Sequence, residues 1–158
     1  MAAQPNLPAV EFELEVSIAR LVAEVFAYVT DVRNLPAWQE SALEAEWEGD
    51  GPVAIGSRIR EKRTFLGRTA ESELEVTGYA PDRRFDVEAL TGPIRFRIRH
   101  SFEEIGGETL LRVRAEAETG GMLRLAGPMV ARQAERQFRS DLERLKDVLE
   151  SARRGKPL

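Results

Sequence analysis

The stretch that decides the fold runs from Ala131 to Glu150: Ala-Arg-Gln-Ala-Glu-Arg-Gln-Phe-Arg-Ser-Asp-Leu-Glu-Arg-Leu-Lys-Asp-Val-Leu-Glu. Within it Ala131, Ala134, Phe138, Leu142, Leu145 and Leu149 recur at steps of three and four, the spacing of one helix face. Arg132, Arg136, Arg139, Arg144 and Lys146 fall on the other faces. With Met122, Leu123 and Leu125 ahead of it, the helical region is expected to run from Met122 to Ala152. Gly127-Pro128 interrupts it, and a kink or a fresh start is expected there because proline lacks the N–H that an interior turn needs. A helix this long and this one-sided needs a broad apolar wall to lie on. The chain before it supplies one, because it reads as a run of strands with one apolar face each.

Working outward, 158 residues with 42% hydrophobic and 32% charged content suit one globular domain with a real core. A net charge of −4 argues against a nucleic-acid binder. The absence of cysteine excludes disulfides and thiolate chemistry. No apolar run approaches the roughly 18 residues of a membrane span and no leader pattern opens the chain, so the expectation is a cytoplasmic protein without integral membrane association. Residues 1–9 read as a flexible tail, 10–153 as a single domain and 154–158 as a second tail.

Val10 to Ile18 alternates strictly, with Phe12, Leu14, Val16 and Ile18 on one face and Glu11, Glu13 and Glu15 on the other, which predicts a half-buried strand. Leu21, Val22, Val25, Phe26 and Val29 then switch to helical spacing. That helix should stop near Thr30-Asp31 and be followed by a short turn or helix near Pro36. Its start lacks a capping residue, since Ala19-Arg20 stand where Ser, Thr or Asp would be preferred. Ala42 to Trp47 is a short strand and Gly49 to Gly56 a glycine-punctuated loop.

Three turns then set the register of the remaining strands. A turn at Leu66-Gly67 puts Arg58 by Glu75, Arg60 by Glu73 and Lys62 by Glu71 on the outer face, with Ile59 by Leu74, Glu61 by Ser72 and Arg63 by Ala70 inside. A turn at Gly92-Pro93 puts Asp86 by Arg99 and Glu88 by Arg97 outside. It places Phe85 by His100, Val87 by Ile98 and Ala89 by Phe96 inside. Gly106-Gly107 fits a tight hairpin turn; it pairs Arg97 with Glu116 and Arg95 with Glu118 outside. Inside it pairs Phe102 with Leu111, His100 with Val113, Ile98 with Ala115 and Phe96 with Ala117. The three turns agree on one inside and one outside, and a slip of one residue would exchange the faces. The stripe Arg95, Arg97, Arg99 could pass for a phosphate-binding patch, but acidic residues on both neighbouring strands make it a solvated, self-neutralised face.

Strand, helix, short helix, six further strands and a long terminal helix is an uncommon order. Together with Val25-Phe26-Ala27-Tyr28-Val29-Thr30-Asp31, Asn34-Leu35-Pro36-Ala37-Trp38, the Gly49 to Gly56 loop, Gly107-Glu108-Thr109 and the Leu142 to Glu150 segment, it resembles the START-like or SRPBCC superfamily, in particular its polyketide cyclase/dehydrase-like and lipid-transport-like members. The resemblance covers about residues 10 to 152 and departs from the family pattern at Ala19-Arg20, where a proline is common. It implies an α+β helix-grip fold: a seven-stranded antiparallel sheet curled around the long C-terminal helix, with two short helices after the first strand and an apolar cavity between sheet and helix. It also implies a small hydrophobic ligand such as a lipid, polyketide or aromatic molecule.

The residues speak to the cavity independently. Small side chains (Ala70, Ser72, Ala89, Ala115 and Ala117) sit on the inner face opposite Ala131 and Ala134, so either a ligand occupies the volume they leave or the helix lies closer to the sheet. The expected lining is Phe85, Val87, Phe96, Ile98, Val113, Ala115, Ala134 and Phe138, with the polar residues Glu61, Arg63, Ser72 and His100 on the same face. Glu61 and Arg63 form either a strand-end ion pair or an anchor for a ligand's polar end, with Ser72 in hydrogen-bond reach of Glu61. His100, the single histidine, is either a satisfied core residue or the general acid/base of a catalytic site. Trp38, Trp47 and Tyr79 either rim the opening or pack the core.

One histidine without cysteine gives no standard zinc site, and no hydrolase elbow, P-loop or dinucleotide motif occurs; no metal and no cofactor is expected. The leading reading is a carrier of a small hydrophobic molecule. A second is a polyketide-type cyclase or dehydratase in which His100 moves protons while Glu61 and Arg63 orient a carbonyl. A third is a protein-partner module without a small ligand. A homodimer is compatible with each, and the Gly49 to Gly56 loop and Gly127-Pro128 are the candidate gates.

Overall fold

The computed structural model describes residues 10–65, 67–118 and 127–152. Both expected tails and the Met122 to Leu125 part of the expected helix lie outside the described residues. The strands are β1 (Val10–Ile18), β2 (Ala42–Trp47), β3 (Arg58–Phe65), β4 (Arg68–Ala80), β5 (Arg84–Ala89), β6 (Arg95–Ile105) and β7 (Glu108–Glu118). The helices are α1 (Val22–Thr30), α2 (Leu35–Trp38) and α3 (Gly127–Ala152), with a 3₁₀ turn at Val32–Asn34. The strands form one antiparallel sheet in the order β1-β7-β6-β5-β4-β3-β2, so the first strand closes against the last. This is the expected helix-grip architecture.

The register follows the turns. Gly67, Gly106 and Gly107 all adopt positive φ, the conformation a tight hairpin demands and one that side chains resist. Glu61 faces Ser72, Phe85 faces His100, and Ile98 faces Ala115, as the turn positions predict. Some expected outer-face ion pairs form directly opposite, Lys62 with Glu71 at 3.5 Å and Arg97 with Glu88 at 3.4 Å, while others are diagonal: Arg58 reaches Glu73 at 2.7 Å and Arg60 reaches Glu48 at 3.3 Å. Strand twist brings the diagonal neighbour of a long side chain within reach, so register does not fix the ionic partner.

Asp86 keeps its expected place in the register but not its expected surroundings. It occupies the predicted position opposite Arg99 but is only 2% exposed and pairs with Arg84, not Arg99, at 2.5 Å. The cause is a register shift between Val76 and Gly78 on β4, which folds the backbone over the carboxylate. Gly78 has to be glycine, since a Cβ there would stand 2.5 Å from the Asp86 Oδ2 atom and 2.8 Å from the Arg84 Nε atom.

The uncapped start of α1 finds another anchor. Leu21 precedes the helix with no side-chain cap. Arg20 instead reaches Glu24 at 2.6 Å and donates to the Leu149 carbonyl at 2.8 Å, while the Thr109 hydroxyl donates to the Arg20 carbonyl at 2.8 Å. The departure at Ala19-Arg20 thus ties α1 to β7 and to the end of α3. Leu142, Leu145 and Leu149 of α3 are buried in the main core with Ile18, Val25 and Leu111. Ala131, Ala134 and Phe138, in its first half, are only half-buried. The helix is therefore clamped to the sheet at its C-terminal end. No helix among the described residues is long and apolar enough to cross a membrane.

Candidate ligand cavity

Between the first half of α3 and the concave face of the sheet lies a cavity of about 340 Å³, within the range of small-molecule sites. β5, β6 and β7 bring Phe85, Val87, Phe96, Ile98, Val113 and Ala115 to its wall, because alternate residues of each strand share one face. α3 contributes Ala134 and Phe138, and Glu61, Arg63, Ser72 and His100 line it as well. Phe138 meets Phe12 of β1 edge-on, ring centroids 5.0 Å apart, and both rings border the hollow. Of the three large aromatics, Trp38 lines the cavity. Trp47 packs on Phe85 at 6.3 Å and Tyr79 on Phe26 at 5.7 Å; neither reaches it.

Two polar stations break the apolar wall. At the first, Arg63 grips the Glu61 carboxylate with Nε to Oε1 and Nη2 to Oε2, both 2.9 Å. The same guanidinium donates to the Ser41 hydroxyl and to the Gln39 Oε1 atom, each at 2.9 Å. Glu61 is 2% exposed, so its charge is neutralised in place. No Glu61–Ser72 hydrogen bond forms among the described residues; Arg63 donates to both carboxylate oxygens. Ser72 instead lies beneath the β5–β6 turn: Gly92, with φ of 115°, presses on its hydroxyl so closely that any Cβ would collide with it. Pro93 and Ile94 of that turn then border the cavity, as do Thr64 and Phe65 at the end of β3.

Asp141, Gln137 and their partner Glu40 complete this station. Asp141 Oδ1 accepts from the Glu40 N–H at 3.2 Å and from Gln137 Nε2 at 2.9 Å, and Gln137 also reaches Glu40 Oε2 at 3.0 Å. Burial pushes the Asp141 carboxyl above the ordinary aspartate range, against the pull of those hydrogen bonds and of Arg144 and Arg63. Sequence reasoning passed over Gln39, Ser41, Gln137 and Asp141. The legible signal was Gln137 and Asp141, a polar pair at four-residue spacing beside the apolar stripe of α3.

The second station is His100, 7% exposed. Its Nδ1–H donates to the Phe85 carbonyl at 2.8 Å, and the ring stacks on Phe85 at 5.7 Å. That bond fixes the tautomer and leaves Nε2 as an acceptor on a residue that lines the cavity. Glu61 and Arg63 lie on β3 and His100 on β6, three strands away in the sheet order, and all three line the one hollow.

Burial lowers the His100 pKa, opposed by the Phe85 carbonyl and by the Asp86 charge. The folded protein keeps the ring neutral where the unfolded chain takes up a proton, so stability falls as pH drops below about 6.5. The melting temperature should decline between about pH 6.5 and the onset of carboxylate titration near pH 5. His100→Gln should flatten the profile in that window, measured by thermal melts across pH.

The two expected gates do not border the hollow: neither the Gly49 to Gly56 loop nor Gly127-Pro128 lines it, among the described residues. Its edge is formed by the β3–β4 and β5–β6 turns and by Val10 at the start of β1.

A curled antiparallel sheet holding one long helix over an apolar hollow defines a START-like helix-grip protein. The chain belongs to the polyketide cyclase / dehydrase and lipid transport family, whose model matches residues 9–150. No curated protein sequence matches it. Among solved structures it is similar to a START superfamily protein from Mycobacterium smegmatis (TM-score 0.75, 18% identity, covering 89% of this chain and 97% of that one). It is also similar to a protein from Thermus thermophilus (TM-score 0.77, 16% identity, 90% and 98%). A third likeness is to the ZhuI aromatase/cyclase of Streptomyces sp. R1128 (TM-score 0.74, 16% identity, 93% and 97%).

Proposed function

We propose that the protein binds and carries a small apolar molecule in the hollow between α3 and the sheet. The observation behind this reading is the cavity of about 340 Å³ with its apolar wall. Interiors normally pack without such voids, so a volume this large on a family scaffold associated with polyketides and lipids has a guest as its simplest explanation. Native mass spectrometry of the protein purified from its own host tests this. A co-purifying molecule of a few hundred daltons supports the reading; protein that emerges free of guests and binds no apolar probe overturns it.

A second reading, an aromatase/cyclase or dehydratase, draws on one feature. His100 presents an unpartnered Nε2 on the cavity wall and is neutral at physiological pH, the state a general base requires. In this reading the Glu61–Arg63 pair orients a carbonyl of the substrate. His100→Ala would then lower turnover much more than affinity for the same molecule.

A further inference from the structure

The polar end of the cavity contains a cation whose charge is already matched by a carboxylate. Every nitrogen of the Arg63 guanidinium is engaged, on Glu61, Gln39 and Ser41. Two carboxylates beside it line the hollow, those of Glu61 and Asp141; Glu40 and Arg144, both exposed, do not. At the other station His100 Nε2 is a lone-pair acceptor. The indole N–H of Trp38 is enclosed and does not reach the open space. A ligand carboxylate would thus enter an apolar wall, where Ser41, Ser72 and Thr64 offer hydroxyl donors but Glu61 and Asp141 outnumber Arg63, and its own charge would be left unpaired, which is costly. A hydroxyl would meet acceptors it can donate to.

We propose that the cavity takes an uncharged apolar molecule ending in a hydroxyl, a phenol or alcohol, and rejects carboxylate anions such as fatty acids. This rests on the small-molecule reading above and narrows it to a chemical class.

Isothermal titration at neutral pH with naphthol, methoxynaphthalene and naphthoate tests it, since the three share a ring system and differ in donor and charge. Naphthol should bind at least about tenfold more tightly than either analogue. Glu61→Gln frees the Arg63 charge and should raise naphthoate affinity about tenfold relative to naphthol. Asp141→Asn keeps the Oδ1 acceptor for Glu40 and Gln137, removes a negative charge, and should move naphthoate the same way. It decides the matter if thermal melts show that Glu61→Gln has not folded. Naphthoate or methoxynaphthalene matching naphthol on the unaltered protein overturns the class assignment and leaves the carrier reading standing. Failure of all three to bind overturns the carrier reading and this one with it.

Discussion

Replacing Arg63 by methionine should lower the melting temperature by about 10 °C, while the double replacement Glu61→Leu with Arg63→Met should recover most of that loss. The single change leaves Glu61, 2% exposed, as a buried charge without its partner, and such losses run to about 3–5 kcal/mol. Arg63 retains 27% side-chain exposure, so water partly relieves the deficit and the low end of that range applies. At this chain length, about 3 kcal/mol corresponds to roughly 6–12 °C. In the double variant no charge remains to desolvate, and apolar side chains of similar volume replace a pair whose attraction barely exceeded its burial cost. Scanning calorimetry of both variants separates the two cases. If the double variant melts as low as the single one, the pair is stabilising in its own right and its neutralised description is wrong.

Filling the hollow should have the opposite signature. Ala134→Phe projects a ring from α3 into space that Phe12, Phe138 and the sheet leave open. In a packed core, added bulk forces strain of about 1–3 kcal/mol. Here the ring gains contacts it would otherwise lack, so the melting temperature should hold or rise. Affinity for naphthol should fall about a hundredfold, because guest and ring compete for one volume. Ala115→Phe makes the same test from the β7 side. Unchanged binding combined with a melting temperature several degrees lower would place these alanines in ordinary packing.

How much of this was legible in the chain differs by element. The registers around β3 to β7 were readable because glycines with positive φ mark the hairpins at Gly67 and Gly106-Gly107, and a hairpin of known turn has no freedom to slip. The inner wall followed from that register alone. Asp86 was misread as solvated because the shift at Val76/Gly78 obeys the local fit of one glycine against one carboxylate, which alternation does not encode. Gln39 and Ser41 escaped because they sit between α2 and β2 with no period to follow, and only tertiary folding brings them to Arg63. His100 and the Glu61–Arg63 pair shared an inward parity in the sequence, and that parity was enough to bring all three to the wall of one hollow.

The leucines of α3 grip the sheet at one end of the rod only, which makes the other half a cantilever. Lifting its tip leaves Leu142, Leu145 and Leu149 seated and gives up the Gln137–Glu40 hydrogen bond and the edge-on contact of Phe138 with Phe12, the latter worth about 0.5–1.5 kcal/mol beyond its area. If the hollow holds a guest as proposed, a roof of this kind would let molecules of different girth be housed without loosening the anchored end.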